Sequence, residues 1–294
     1  MLRMRSRPVM LCADDYGIAA GVTRGILELG AAKRISATSA FVTCPRWSED
    51  GPLLAEGRRK LATGLHLNLT LGAPLGAMPT LAPSGQFPTS GQLALAAIRR
   101  ALDITEIAAE FTRQLAAFES KVGYPPDFIS SHEHVHVLPG VRRALFDMLE
   151  VRRFDPKPLL RDTFERPLTI AMRSGEMADA LGATIRSAGF GFAARRRGYP
   201  TNMGFSGFSA LDTARLYTTE LAMAMRFTGK RHMTLCHPGH PDAELAGRSS
   251  NTLRRGQELD TLLTNAAFTN QLWTLERDPD GPAIDWEKAF PYVR

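Results

Sequence analysis

Short apolar runs alternate with longer stretches of helical spacing along most of this chain. The apolar run 8–13 precedes a helical pattern over 21–33, in which Val22, Ile26 and Leu29 share one face. Further strand-like runs lie at 36–44, 61–70, 157–161, 231–237 and around 272–275, and further helical patterns at 105–122, 141–150, 174–187, 210–226 and 256–267. Such alternation predicts a parallel sheet with helical crossovers. We therefore expect an α/β fold: a single (β/α) barrel, distorted or with fewer than eight regular units.

A length of 294 residues allows two ordinary domains or one barrel-sized domain, and the repeated strand–helix alternation favours the single barrel. We expect it to span all 294 residues, with a core at about 8–275 and an irregular C-terminal tail. No apolar run approaches the roughly 18 residues that a membrane-spanning helix needs, so no membrane partner is expected. Three widely spaced cysteines predict no disulfide framework, and the N-terminal segment lacks a secretory pattern. These features predict a cytoplasmic protein, and they leave a homodimer open.

The net charge of +6 raises the question of a nucleic-acid partner. The basic residues form short, scattered clusters at 58–60, 195–197 and 254–255, and no recognised nucleic-acid motif accompanies them. We interpret these clusters as solvated helix ends, and we expect no nucleic-acid partner.

Two adjacent carboxylates, Asp14 and Asp15, stand where the first apolar strand stops. Burying unpaired charge is expensive, so this pair is hard to place in a core. One carboxylate could bind a metal ion while the other takes a proton. Alternatively, Asp15 could cap the helix that follows, because carboxylates stabilise the helix N-terminus. The pair alone does not decide between these two roles.

Three histidines, His132, His134 and His136, occupy every second position of the segment "SSHEHVHVLPG". The same residues fit H-E-x-x-H, the zinc-protease signature, which needs a helix with Glu133 as the base. The flanking β-branched residues and the closely following Pro139-Gly140 pair favour a strand end instead. An extended chain would place all three histidines on one face. His132 would then bind a metal at the rim, and His134 and His136 would contact substrate or support the site.

Two further histidines lie in strand-like runs. His66 alternates with leucines in "GLHLNLT", and His237 ends an apolar run before Pro238. A lone histidine at position 66 is more often a structural residue than a ligand, and His237 alone could be a surface turn histidine. One aspartate and two histidines would, however, make an open three-ligand metal site, and such a metal activates water and polarises a carbonyl. With Asp14 as base and His237 as acid, such a site would hydrolyse an amide or an ester.

Taken together, "CADDYGIAAGV", "GLHLNLT", "SSHEHVH", "TNMGFSGFS" and "LCHPG" resemble the YdjC-like carbohydrate deacetylases, in order and in spacing. The resemblance covers about residues 8–275. It implies a (β/α) barrel, one divalent metal ion, usually magnesium, and removal of acetyl groups from N-acetylated sugars such as chitooligosaccharides. Two imidazoles and a carboxylate are also chemically suited to zinc.

The resemblance also implies site residues. The metal ligands fall on Asp15, His66 and His132, and analogy with the related NodB-type deacetylases makes Asp14 the base and His237 the acid. Ser130 stands where the family often has aspartate, which removes a carboxylate that could support His132.

Arg161 is a further candidate site residue, and several other functions remain open. Arg161 follows a strand-like run and is a candidate for orienting Asp14 or the substrate. The expected substrate is a small carbohydrate. Alternatives are a metal-dependent hydrolase of phosphoesters or non-sugar amides, a non-catalytic carbohydrate-binding barrel, and the zinc protease that would depend on Glu133.

Overall fold

The computed structural model describes residues 8–173, 176–209, 213–249, 251–275, 277 and 283–290. Within these residues, seven strands form one parallel sheet in the order β5-β4-β3-β2-β1-β7-β6. The strands are β1 Val9–Tyr16, β2 Ala37–Ala40, β3 Ala62–Leu67, β4 Phe128–Ser131, β5 Leu159–Leu160, β6 Phe205–Ser206 and β7 His232–Cys236. This curled, seven-stranded sheet confirms the predicted α/β barrel with fewer than eight regular units.

Helices follow most of the strands and cover the outer face of the sheet. They are α1 Ala20–Ala31, α2 Trp47–Gly57, α3 Ser90–Ile98, α4 Ile104–Val122, α5 Val141–Arg152, α6 Pro167–Arg173, α7 Met177–Arg186, α8 Phe190–Arg196, α9 Tyr217–Ala224, α10 Ala243–Ala246, α11 Thr252–Thr264 and α12 Trp286–Ala289. Short 3-10 segments cover His132–Val137 and Thr269–Gln271. Among the described helices, none combines the length and the apolarity that crossing a bilayer requires.

The segment 200–207 joins the two edges of the sheet. At one end, the Leu160 N–H of β5 donates to the Pro200 carbonyl at 2.9 Å. At the other end, Phe205 of β6 pairs with Met233 of β7. Gly207 has φ 101°, and a Cβ there would lie 2.2 Å from the backbone oxygen of the next strand, so only glycine permits this approach. Between the two edges of the sheet, the "TNMGFSGFS" stretch contributes one isolated bridge, Leu160 to Thr201, and the two-residue strand β6.

The inside of the barrel is narrow and is closed at the amino ends of the strands. Gly64 of β3 leaves space for the Phe128 ring, since a Cβ on Gly64 would meet that ring at 2.4 Å. At the amino ends of the strands, the interior is covered by three aromatic side chains, Trp273, Trp286 and Phe290. Chemistry is thus confined to the carboxyl ends of the strands, where the barrel opens.

Several predicted elements differ from the structure. α2 contains Gly51-Pro52 and α8 lies in a glycine- and arginine-rich stretch, so propensity alone did not indicate either helix. The predicted strand around 272–275 contributes only an isolated bridge between Leu272 and Val9. The first residues of the predicted helices at 174–187 and 210–226 lie outside the described residues.

Candidate metal centre and catalytic cavity

Four separate strand ends contribute side chains to one cavity of about 380 Å³ at the mouth of the barrel. Asp14 and Asp15 come from β1, His66 from β3, His132 directly after β4, and His237 directly after β7. The carboxyl ends of parallel strands meet at the same edge of the sheet, which is why residues so distant in sequence are neighbours here.

Asp15, His66 and His132 form a compact cluster. The Asp15 Oδ1 atom lies 3.4 Å from His66 Nε2 and 3.3 Å from His132 Nδ1. One ligand atom from each residue lies within 4.8 Å of the other two. Asp15 Oδ1 is buried and has no hydrogen-bond partner among the described residues. A buried carboxylate oxygen facing two imidazole nitrogens is a ligand set that a divalent cation would complete.

The hydrogen bonds of His66 determine which ring nitrogen is available. Ser39 Oγ donates to Asp14 Oδ1 at 2.7 Å and lies 3.0 Å from His66 Nδ1. Because the Ser39 proton is used on Asp14, its oxygen can only accept from His66, which places the ring proton on Nδ1. Ser130 Oγ lies 2.8 Å from the same nitrogen. His66 Nε2 therefore presents its lone pair to the cluster, as a metal ligand must.

An irregularity in β1 directs both carboxylates to the cavity. Adjacent side chains of a regular strand point to opposite faces. Here the pairing of β1 with β2 shifts register between Ala13 and Tyr16, and Asp15 adopts φ 68°. Arg255 of α11 holds the turned side chain, with Nη2 at 2.6 Å from Asp15 Oδ2. Burial would raise the pKa of Asp15, but the Arg255 guanidinium holds it well below its ordinary value.

Asp14 is paired with Arg161 inside the barrel. Arg161 Nη1 lies 2.6 Å from Asp14 Oδ2, and Nη2 lies 2.7 Å from Oδ1. Burial would raise the pKa of Asp14, but Arg161 and then His66 hold it below its ordinary range. Asp14 is therefore ionised at neutral pH, and the two-pronged pair fixes the plane of its carboxylate.

His237 lies next to Asp14, because Ala13 of β1 pairs with Cys236 of β7, and Glu258 lines the same cavity. Burial lowers the pKa of the His237 imidazole to about 4, so the ring is neutral at pH 7. Its backbone N–H donates to Glu258 Oε2 at 2.6 Å. Burial raises the pKa of Glu258 to about 7, although this N–H opposes the shift. The cavity therefore contains a carboxyl group that titrates near neutral pH.

The prediction that residues 132–136 form an extended strand end is wrong. β4 ends at Ser131, and Glu133 and His134 have left-handed backbones with φ 51° and 58°. His136 consequently points away from the cluster: its Nδ1 lies 2.7 Å from Ser131 Oγ and its Nε2 2.7 Å from the Arg161 carbonyl. The same left-handed residues exclude the α-helix that the protease motif needs.

The remaining predicted residues take distinct positions around the cavity. The His134 ring makes T-shaped contacts with Phe205 and Phe208, with ring centres 5.3 and 5.9 Å away. Ser130, at the position where the resemblance led us to expect a carboxylate supporting His132, contacts His66 instead.

The YdjC-like protein family matches residues 8–271, a span that contains every residue of this cavity. The chain belongs to the YdjC-like proteins. It is 37% identical over 133 residues to a chitooligosaccharide deacetylase of Serratia marcescens and 35% identical over 133 residues to one of Yersinia pestis. Both matches cover 44% of this chain, and the chain spans about 50% of the length of each of these relatives.

A solved structure supports the fold of this YdjC-like protein. The structure comes from Enterococcus faecalis and is provisionally named a cellobiose-phosphate cleavage protein. It superposes with a TM-score of 0.66 at 21% sequence identity, covering 95% of this chain and 100% of that chain. At this identity the likeness shows the shared fold alone.

Several residues that shape the site of this YdjC-like protein have no clear signal in the sequence. Ser39 and Glu258 were not identified, because a serine or a glutamate carries no positional signal of its own, and the contact of Ser130 with His66 was not predicted. Arg254 and Arg255 were interpreted as solvated helix ends, which is wrong: they are only 1% and 6% exposed. The helical spacing of Arg255, Glu258 and the buried Leu262 on α11 is the signal that could have indicated an inward-facing charged stripe.

Proposed function

We propose that this YdjC-like protein is a metal-dependent hydrolase that removes acetyl groups from N-acetylated amino sugars or short oligosaccharides. The observation that carries the proposal is the convergence of Asp15, His66 and His132, with an Asp15 Oδ1 that has no hydrogen-bond partner among the described residues. The names of the relatives, chitooligosaccharide deacetylases, support the substrate class.

In this proposal, Asp15, His66 and His132 hold one divalent cation. The donor set fits a cation, because the His66 lone pair and the Asp15 carboxylate both face the same point. When bound, the cation would polarise the acetamide carbonyl and acidify a water molecule. The family resemblance favours magnesium, whereas two imidazoles and one carboxylate are equally suited to zinc.

Asp14 is the proposed proton acceptor. It is ionised in the cavity and fixed in orientation by Arg161, so it can take a proton from the water that attacks the acetamide carbon. Arg161 is a positioning residue in this scheme. It is 0% exposed, so it acts on Asp14 rather than on the sugar.

His237 is the proposed proton donor to the departing amine. Its imidazole enters the reaction neutral, because burial lowers its pKa to about 4. It can therefore donate only after receiving a proton, and the proton that Asp14 removes from water is available in the same cavity. Glu258, whose pKa is about 7, holds the backbone of His237 and keeps the ring at the rim.

Cytoplasmic location and a single 1–294 domain also stay proposals.

The test is a screen of acetate release from N-acetylglucosamine and chitooligosaccharides, with phosphate release from sugar phosphates run in parallel. Acetate release from the sugars supports the proposal, and release of phosphate alone would show that the bond is a phosphoester. D14N should abolish turnover while the protein still binds its metal. A carbohydrate-binding barrel without catalysis predicts instead that D14N leaves function intact. E133Q should retain activity, because a protease role for Glu133 is excluded by the backbone of its segment.

A further inference from the structure

The solvent side of the helix α7 is apolar, where a surface helix of a globular protein is usually polar. Three large apolar side chains one turn apart, Met177, Leu181 and Ile185, are exposed. The residues that α7 buries are instead the small Ala183 and Thr184. The large apolar side chains of α7 therefore point to solvent and the small ones to the protein, which reverses the usual arrangement.

The neighbouring helix α6 extends the same surface. Its Leu168 and Met172, also one turn apart, are exposed. Ile170 and Arg173 of α6 line one small cavity together with Ala180 of α7, so the inner sides of the two helices face the same place. Their outer sides consequently form one surface. We call this surface the outer face and define it by its five exposed apolar side chains, Leu168, Met172, Met177, Leu181 and Ile185.

An arginine stands at each end of the outer face. Arg166 directly precedes α6 and Arg186 is the last residue of α7, and both are exposed. Neither arginine forms an ion pair with any residue in the described part of the chain. Of the nearby carboxylates, Glu176 is paired with Arg215 at 2.8 Å, and Asp179 lines a cavity at the edge of the outer face. The outer face thus has an apolar centre with a positive charge at both ends.

An anionic phospholipid surface matches this arrangement. Apolar side chains of a helix that lies flat on a bilayer enter the boundary between headgroups and acyl chains, while flanking arginines are attracted to anionic lipids. The net charge of +6 adds long-range attraction to a negative surface. Such a contact needs no membrane-spanning helix, and the described helices include none.

A second copy of the chain matches the outer face less well. A two-fold interface brings the same surface of both copies together, so the outer face would meet itself. The arginines at its ends would then approach one another, and the five side chains of the outer face supply no carboxylate to balance them. Like charges brought together in this way oppose association.

We propose that the outer face of α6 and α7 is a peripheral membrane-binding surface for anionic phospholipids. This inference does not rest on the proposed deacetylase function, because no residue of the candidate metal centre takes part in it. The two can therefore fail independently of each other.

Co-sedimentation with phospholipid vesicles tests the proposal. The wild type should bind vesicles of phosphatidylcholine mixed with phosphatidylglycerol, and it should bind pure phosphatidylcholine vesicles more weakly. L168Q/I185Q should lower the partition coefficient on the mixed vesicles by about 10-fold or more, because it removes the two most exposed apolar side chains of the outer face. R166Q/R186Q should lower it by about 5-fold or more, because each arginine near an anionic bilayer contributes to the attraction.

Matched control variants alter side chains of similar exposure on other helices. V151Q/L253Q removes two apolar side chains that are 84% and 69% exposed, against 72% and 73% for the pair on the outer face. R24Q/R99Q removes two exposed arginines away from α6 and α7. Both control variants should bind the mixed vesicles like the wild type.

A local probe separates insertion of the outer face from general charge attraction. The three native cysteines are buried, so an environment-sensitive dye can be attached to I185C. Its emission should shift to shorter wavelengths when the mixed vesicles are added, whereas the same dye on V151C should not respond. Equal responses at the two positions, or vesicle binding that L168Q/I185Q leaves unchanged, would overturn the proposal. Dimerisation that L168Q/I185Q abolishes, without any binding of the wild type to vesicles, would also overturn it and would assign the outer face to a second copy.

Discussion

Replacing Arg161 by methionine is the perturbation whose effect the structure defines best. Methionine keeps an unbranched side chain but removes the guanidinium. Arg161 is 0% exposed and Asp14 only 1% exposed, so solvent cannot replace the lost partner. The ion pair spans two short contacts, at 2.6 and 2.7 Å. The R161M variant therefore has an ionised carboxylate inside the barrel without its main counter-charge.

Removing one partner of a buried ion pair destabilises a protein by about 3–5 kcal/mol. Ser39 still donates to Asp14, so we expect the lower part of this range, about 3 kcal/mol at pH 7. For a chain of this size, that loss corresponds to a fall in Tm of roughly 5–10 °C. In the wild type the pKa of Asp14 lies below its ordinary value, so Asp14 stabilises the fold at pH 7, and this contribution is lost as the pH falls below about 4. In R161M burial acts without Arg161 and should raise that pKa, so the deficit should shrink as the pH falls from 7 to 5.

Urea unfolding at pH 7 and pH 5 measures both effects. The control is a double-mutant cycle with D14N and D14N/R161M, in which we expect a coupling free energy of about 2–3 kcal/mol. A loss below 1 kcal/mol in R161M, or additive effects of the two substitutions, would refute a tight ion pair between Arg161 and Asp14.

Three further predictions concern the site and the barrel. S130A should weaken divalent-metal binding by about 10- to 100-fold, because His66 loses a hydrogen-bond partner. Competition with a chelating dye measures the affinity, and an unchanged value would contradict this prediction. Burial lowers the pKa of His136 to about 3, so this residue should make the free energy of unfolding fall by about 1 kcal/mol per pH unit as the pH drops from 6.5 to 5. H136Q should lack that contribution, and parallel pH curves would show the histidine is not buried and neutral. G64A should destabilise by about 2 kcal/mol or more in the same assay, since the new methyl group meets the Phe128 ring; a neutral effect would mean that the barrel is wider than described.

The sequence was sufficient for the parts of the fold that depend on local periodicity. β1, β3 and α4 were predicted because their apolar residues alternate or recur at helical spacing. α2 was missed because Gly51-Pro52 lies inside it and indicates a loop. β6 is only two residues long and forms because the segment 200–207 joins two strands distant in sequence, which no local pattern encodes.

The candidate site was likewise predictable only in part. Asp15, His66 and His132 were identified from their positions at strand ends and from the resemblance. The left-handed conformation of Glu133 was not predicted, because "HEHVH" alternates like a strand. That conformation depends on contacts such as the Ser90 hydrogen bond, which the local sequence does not encode. The burial of Arg255 depends on how α11 packs over the mouth of the barrel, and its charge alone indicated a solvated position.

The central claim is that three side chains hold one cation, and metal content measures it directly. After dialysis against a divalent metal and removal of free ions, elemental analysis should give about one ion per wild-type chain. D15N, H66Q and H132Q should retain almost none, while H134Q, which alters a histidine outside the cluster, should retain the full amount. Full occupancy in any of the three ligand variants, or loss of the ion in H134Q, would contradict the proposed metal centre.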